Sequence, residues 1–221
     1  MSTYKVVSGV DEWDFENGFY LTCENSRLSD FIAHCEIYKM ILGIPGDIVE
    51  CGVYKGSSLI QFLCFREYFE NAESRKVFGF DVFGKFPNEL ELDSDRSFVQ
   101  RFESEGGYGI SKDDLESYLS KKGLRNFQLI KGDVIETLPQ FIERNPERRF
   151  SLVHVDVDVY EPTVCILENL WDRLVRGGLL VFDDFGTVEG ETRAVDEFLD
   201  KTSVRLKKLP YKHKPSFLIK P

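Results

Sequence analysis

Five short runs rich in β-branched and aromatic residues punctuate the chain: DIVECGV (47–53), KVFGFDV (76–82), NFQLIKGDV (126–134), SLVHVDVDV (151–159) and GLLVFDDF (178–185). Between them lie stretches such as SSLIQFLCFREYF and TVCILENLWDRLV, whose apolar residues recur every three or four positions. That alternation predicts βαβ units. The runs are close to continuously apolar, so each strand must be covered on both faces, the condition of a mostly parallel sheet with helices on either side. The expected fold is α/β and doubly wound. A helix at AVDEFLDK followed by two short candidate strands, VRLKKL and SFLIK, predicts an antiparallel edge near the C-terminus.

At 221 residues the sequence fits one domain spanning 1–221. Its 1–45 segment reads as a helical lid, with a helix from Arg27 to Leu42 stopped by Gly43. The 84–112 stretch is polar, glycine-containing and poorly periodic, and reads as a substrate loop. No apolar run approaches the length of a membrane helix and the first residues do not resemble a secretory signal, so a cytoplasmic protein without membrane contact is expected. Five cysteines form no CxxC pair, which argues for reduced thiols and against zinc. A net charge of -10 disfavours nucleic acid as a partner. The local basic tail KKLPYKHKP reads as a solvated hairpin.

In open parallel sheets, ligands bind beyond the carboxyl ends of the strands. The first such end, VECGVYKGSS, sets an acid (Glu50) before a glycine turn (Gly52) and a second glycine (Gly56). It differs from the dinucleotide fingerprint and lacks phosphate-binding features, and it suits a ligand carrying an ammonium group, such as the methionine part of S-adenosylmethionine. Asp81, ending FGFD, is placed to accept from a ribose hydroxyl, and Asp133 in KGDVIETLP to read an adenine amino group. Each is equally a candidate N-cap of the helix that follows.

In HVDVDVY the strand period sends Asp156 and Asp158 to one side, and VFDDFG ends the next strand with Asp183 and Asp184. If those strands are neighbours, three or four carboxylates meet at one rim, and anions that close require a cation. Hard oxygen donors without a His or Cys cluster favour Mg²⁺, with Mn²⁺ or Ca²⁺ as alternatives.

From IPGDIVECGVYKGSS through FDVFGKFP and KGDVIETLP to VDVDVYEPT and VFDDFG, the sequence resembles the macrocin O-methyltransferase family. Members methylate sugar hydroxyls with S-adenosylmethionine and Mg²⁺ on a class I methyltransferase (Rossmann-like) fold. The resemblance implies metal ligation by Asp156, Asp183 and Asp184, and a catalytic base at Asp158. Around the cofactor it implies Glu50, Gly52, Tyr54, Gly56, Ser57, Asp81 and Asp133. It further implies a sugar, nucleotide-sugar or glycoside acceptor and a homodimer or larger homo-oligomer. This chain has Val157 where the family often has glycine. A catechol or other phenol as acceptor, and a non-catalytic cofactor-binding protein, are the competing readings. Trp13, Phe15, Phe19 and Tyr20, together with the 84–112 stretch, are candidates to wall the acceptor site, the aromatics reading equally as packing or a subunit contact, and Arg193 is expected to contact carboxylates or form a surface ion pair.

Overall fold

The computed structural model describes residues 11–87 and 90–221, so positions 1–10 of the N-terminal segment and 88–89 of the 84–112 stretch lie outside the described residues. Each apolar run carries a strand: β1 (Asp47–Cys51), β2 (Val77–Asp81), β3 (Phe127–Lys131), β4 (Phe150–Val155) and β5 (Leu174–Phe182). They join β6 (Lys207–Lys208) and β7 (Ser216–Ile219) in a sheet of order β3-β2-β1-β4-β5-β7-β6. The first five are parallel, and β7 and β6 close the edge antiparallel, as expected from the sequence. β6 is shorter than VRLKKL because Val204 and Leu206 pack onto the core instead of extending the strand.

Helices cover both faces. α2 (Asn25–Met40), α3 (Ser57–Phe69) and α5 (Lys112–Lys121) bury Ile37, Phe62 and Leu119 against Ile48, Leu152 and Val181 on one side. On the other, α6 (Val134–Arg144), α7 (Tyr160–Leu170) and α8 (Glu189–Leu199) bury Phe141, Ile166 and Val195 against Val49, Val153 and Phe182. Alternate residues of one strand thus enter opposite cores, which is why the runs read as continuously apolar. No helix among the described residues is long and apolar enough to cross a membrane.

The 84–112 stretch departs from the loop expected of it. It holds a helix, α4 (Asp93–Gly106), resting on the sheet's carboxyl end. Only a narrow stripe of this helix touches the body, Val99 meeting Leu90 and Val159 with Phe98 and Phe86 alongside. Asp95 fixes it: the buried carboxylate accepts the Tyr160 N–H at 2.8 Å, capping α7 two residues past Asp158. Gly190 makes room for that contact, since a Cβ there would lie 2.3 Å from Asp95 Oδ1. An eighth helix, α1 (Glu12–Thr22), precedes α2 and starts at Asp11, whose side chain accepts from the Trp13 N–H.

Candidate active site

Strand order reverses between β1 and β4, and a cleft of about 370 Å³ opens there, within the range of small-molecule sites. β1 gives way to Gly52, with φ +92°, where an added Cβ would sit 1.8 Å from the Asp156 carbonyl oxygen. Only glycine lets the turn after β1 approach the end of β4 so closely. The amides of that turn converge on Asp81. Val53 and Tyr54 N–H donate to its Oδ2 at 2.7 and 2.9 Å, and Phe83 N–H donates to Oδ1 at 2.5 Å. Burial raises the Asp81 pKa while those three amides oppose the rise. A carboxylate offers about four acceptor positions, so one remains for a ligand hydroxyl.

Tyr54, Ser57 and Asp133 also line the cleft. Asp133 accepts from Ile135 N–H at 2.9 Å, so it caps α6 while facing the cavity, and its two sequence readings coexist. Tyr54 donates its hydroxyl to the Gly106 carbonyl at 2.5 Å, and Lys55 reaches the same oxygen at 2.6 Å, tying the turn to the end of α4. Gly56 and Glu50 sit elsewhere. Gly56 begins α3 with φ +86°, where a Cβ would meet Leu115 Cδ1 at 2.8 Å, so its smallness serves packing against α5. The Glu50 carboxylate, expected to meet an ammonium group, is fully buried outside the cleft lining, with Oε1 3.1 Å from His154 Nδ1.

At the other rim the four acids assemble just past the ends of β4 and β5, all lining the cleft. One donor atom each from Asp156, Asp158 and Asp184 lies within 4.8 Å of the others. Burial and the charge of Asp183 push Asp156 well above the ordinary carboxylate range, and burial and Asp184 do the same to Asp158. Such crowding, with oxygen donors only, fits a hard divalent cation. Asp158 adopts φ +64°, a conformation rare outside glycine, asparagine and aspartate. Asp183 sits slightly apart, its Oδ1 3.7 Å from His34 Nε2 and 3.8 Å from His154 Nε2. Burial works against its ionisation, but the two imidazoles hold its carboxyl far below the usual range. Two further groupings with donor atoms equally close contain histidine, His34 with His154 and Asp183, and Glu50 with His154 and Asp156, so the rim is not the purely oxygen-lined cluster expected from the sequence.

The sequence reading passed over the groups behind this rim. His154 shares its side of β4 with Asp156 and Asp158, and a period of two along HVDVD would have exposed it. Burial alone favours the neutral ring, yet Asp183 on one nitrogen and Glu50 on the other raise the His154 pKa well above the histidine norm. His34 comes from α2, more than a hundred residues away in sequence, and no local pattern announces it. Gln61 holds its Nδ1 at 2.8 Å. Glu191, fully buried in α8, accepts the Asp184 N–H at 2.9 Å. Lys214 of the basic tail is no solvated hairpin residue: its Nζ lies 2.6 Å from Asp184 Oδ1.

Phe86, Leu90, Phe98 and Phe102, from α4 and the segment before it, supply the apolar wall. The expected aromatics of α1 do not: Trp13, Phe15, Phe19 and Tyr20 are exposed and none lines the cleft. Arg193 forms a surface ion pair with Glu197 at 3.0 Å and lies over the Tyr160 ring.

The sequence profile of the family described as Macrocin-O-methyltransferase (TylF) matches residues 19–208. The chain belongs to the macrocin O-methyltransferase family. A relative from Streptomyces olivaceus, 8-demethyl-8-(2,3-dimethoxy-alpha-L-rhamnosyl)-tetracenomycin-C 4'-O-methyltransferase, is 31% identical over 71% of this chain. Mycinamicin III 3''-O-methyltransferase of Micromonospora griseorubida is 25% identical over 78% of it. The matched region spans 59% of the first protein's length and 68% of the second's. Among solved structures, the apo form of CalS11, a TDP-rhamnose 3'-O-methyltransferase of calicheamicin biosynthesis, superposes with a TM-score of 0.70 at 26% identity. That match covers 96% of this chain and 87% of CalS11. The O-methyltransferase NovP gives a TM-score of 0.74 at 22% identity over 86% of this chain and 78% of its own. The mostly parallel sheet with its antiparallel C-terminal edge is accordingly that of class I methyltransferases.

Proposed function

We propose that this family member is an S-adenosylmethionine-dependent O-methyltransferase that methylates a sugar hydroxyl with the help of a divalent ion. The observation that carries the reading is the pairing, across one cleft at the β1/β4 switch, of Asp81 and Asp133 with the rim of Asp156, Asp158, Asp183 and Asp184. Related proteins named for methylating rhamnosyl and mycinamicin substrates favour a sugar over a phenol.

When bound, the two groups supply an electrophilic methyl on a sulfonium and a positive charge that lowers the pKa of an alcohol. The chain's own residues do the rest. Asp81 accepts from the ribose, Asp133 meets the adenine, and Gly52, Tyr54 and Ser57 shape the turn against the cofactor. Asp156, Asp183 and Asp184 hold the ion, Asp183 being kept ionised by His34 and His154. Asp158 takes the acceptor's hydroxyl proton on its carboxylate, which lines the cleft beside Asp184. The aromatic wall of Phe86, Phe98 and Phe102 packs on the sugar and excludes water, which keeps the reacting oxygen aligned with the methyl carbon.

Calorimetric titration of S-adenosylmethionine and then Mg²⁺ into chelator-treated protein tests this. Both bind the wild type, whereas Asp183→Asn retains cofactor affinity and loses metal affinity at least about a hundredfold. Absence of heat from both ligands in the wild type would remove the reading. On the cofactor side, Asp81→Asn exchanges a charged acceptor for a neutral amide at the ribose and the turn, and its S-adenosylmethionine affinity drops at least about tenfold. Unchanged cofactor affinity in that variant would take Asp81 out of the site.

A further inference from the structure

We propose that Lys214 is a built-in cation of the acid rim that competes with a divalent ion for Asp184. The inference rests on the divalent-ion reading above and concerns a residue of the basic tail that the methyl-transfer chemistry does not use. Sheet register places it. β7 runs antiparallel to β5 with Ser216 opposite Phe182, so two residues further on Lys214 comes to face Asp184. The ammonium takes Asp184 Oδ1 at 2.6 Å, an oxygen that also accepts from Thr187 Oγ1 at 3.0 Å. Pro215 and Ser216 are buried behind it, and Lys212 is tied to Asp30 of α2, so the backbone that carries Lys214 is anchored on both sides.

Charge decides what this contact does. Asp156, Asp158, Asp183 and Asp184 crowd the rim, and Glu191 is buried directly behind it. One ammonium at Asp184 offsets a single charge, half of what a divalent cation would bring. A lysine is a point charge on a flexible four-carbon stem, so it can withdraw when an ion arrives, whereas a fixed guanidinium fork would not yield so readily. While it stays, it occupies one donor oxygen and repels the incoming cation. The site therefore binds its ion more weakly than its donor set alone would allow.

The test is calorimetric titration of Mg²⁺ and Mn²⁺ into chelator-treated wild type, Lys214→Met, Lys214→Gln and Lys214→Arg, with Tm measured for each with and without Mg²⁺. At about 5 Å, repulsion between a divalent ion and a single charge at the dielectric of bulk water corresponds to roughly a tenfold change in affinity. Metal affinity in the Met and Gln variants is expected to rise by at least that factor, with Lys214→Arg no tighter than wild type. Their ion-free Tm falls and saturating Mg²⁺ restores it, which distinguishes a charge effect from a packing defect. Equal metal affinity in wild type and both neutral variants overturns the competition and leaves the metal reading standing. No divalent binding in any of the four proteins overturns both.

Discussion

Asp158→Asn lowers turnover by about a hundredfold to ten-thousandfold while leaving S-adenosylmethionine affinity unchanged. The substitution isolates the carboxylate's chemistry. Asparagine tolerates the φ of +64° that Asp158 adopts, so the backbone beyond β4 keeps its path. Removing one of the mutually repelling charges also relieves the strain with Asp184, so Tm holds or rises. Metal affinity is the discriminating readout. Near-wild-type metal binding with collapsed turnover identifies the base; a parallel loss of metal binding makes Asp158 a ligand, as its place in the geometric triad with Asp156 and Asp184 would allow. Turnover that survives the change excludes both roles.

The sheet was legible because burial on two faces leaves an apolar run at β1, β2, β4 and the second half of β5, whereas β3, at the sheet's edge, exposes Gln128 and Lys131 and shows the pattern less fully. The four acids were legible for a related reason. They end apolar runs, where the sheet opens to ligand, and all four line the cleft. The helix α4 was hidden because it covers the site with a single stripe, Val99 flanked by Phe98 and Phe102, and leaves the remainder solvated. Function selects such an element for what it closes over, and its sequence carries little core signature.

The residues behind the rim were missed for a different reason. His34 and Lys214 come from elements distant in sequence and are brought to Asp183 and Asp184 by the packing of α2 and the register of β7, while Glu191 lies seven residues beyond Asp184 in a helix whose inward face no local motif marks. Glu50 was visible, but its direction was not. A strand-end acid next to a glycine turn has two sides available, and in this chain it faces His154 beneath the cleft. The His154 imidazole lies between Glu50, 3.1 Å from its Nδ1, and Asp183, 3.8 Å from its Nε2, and so stands between the floor of the turn and the acid rim.

The turn also meets the rim sterically, and Gly52→Ala should break that contact. Alanine disfavours the φ of +92°, and its methyl would have to fit 1.8 Å from the Asp156 carbonyl oxygen and 2.4 Å from its carbon. Neither neighbour can retreat easily, because Gly52 N–H donates to the Phe80 carbonyl at 2.9 Å and Asp156 N–H donates to the Cys51 carbonyl at 2.9 Å. The expected loss is at least about 3 kcal/mol, which for a domain of this size lowers Tm by roughly 6–12 °C. Metal affinity falls with it, since relieving the clash moves the backbone of Asp156. Gly186→Ala is the control: its φ is +81° but nothing lies within 4 Å of the added carbon, so it reports backbone strain without a collision. If the two variants lose equal stability, the close approach of the β1 turn to the β4 end is not what holds this site together. If Gly52→Ala alone loses both stability and metal affinity, one glycine sets the separation between the turn after β1 and the acid rim.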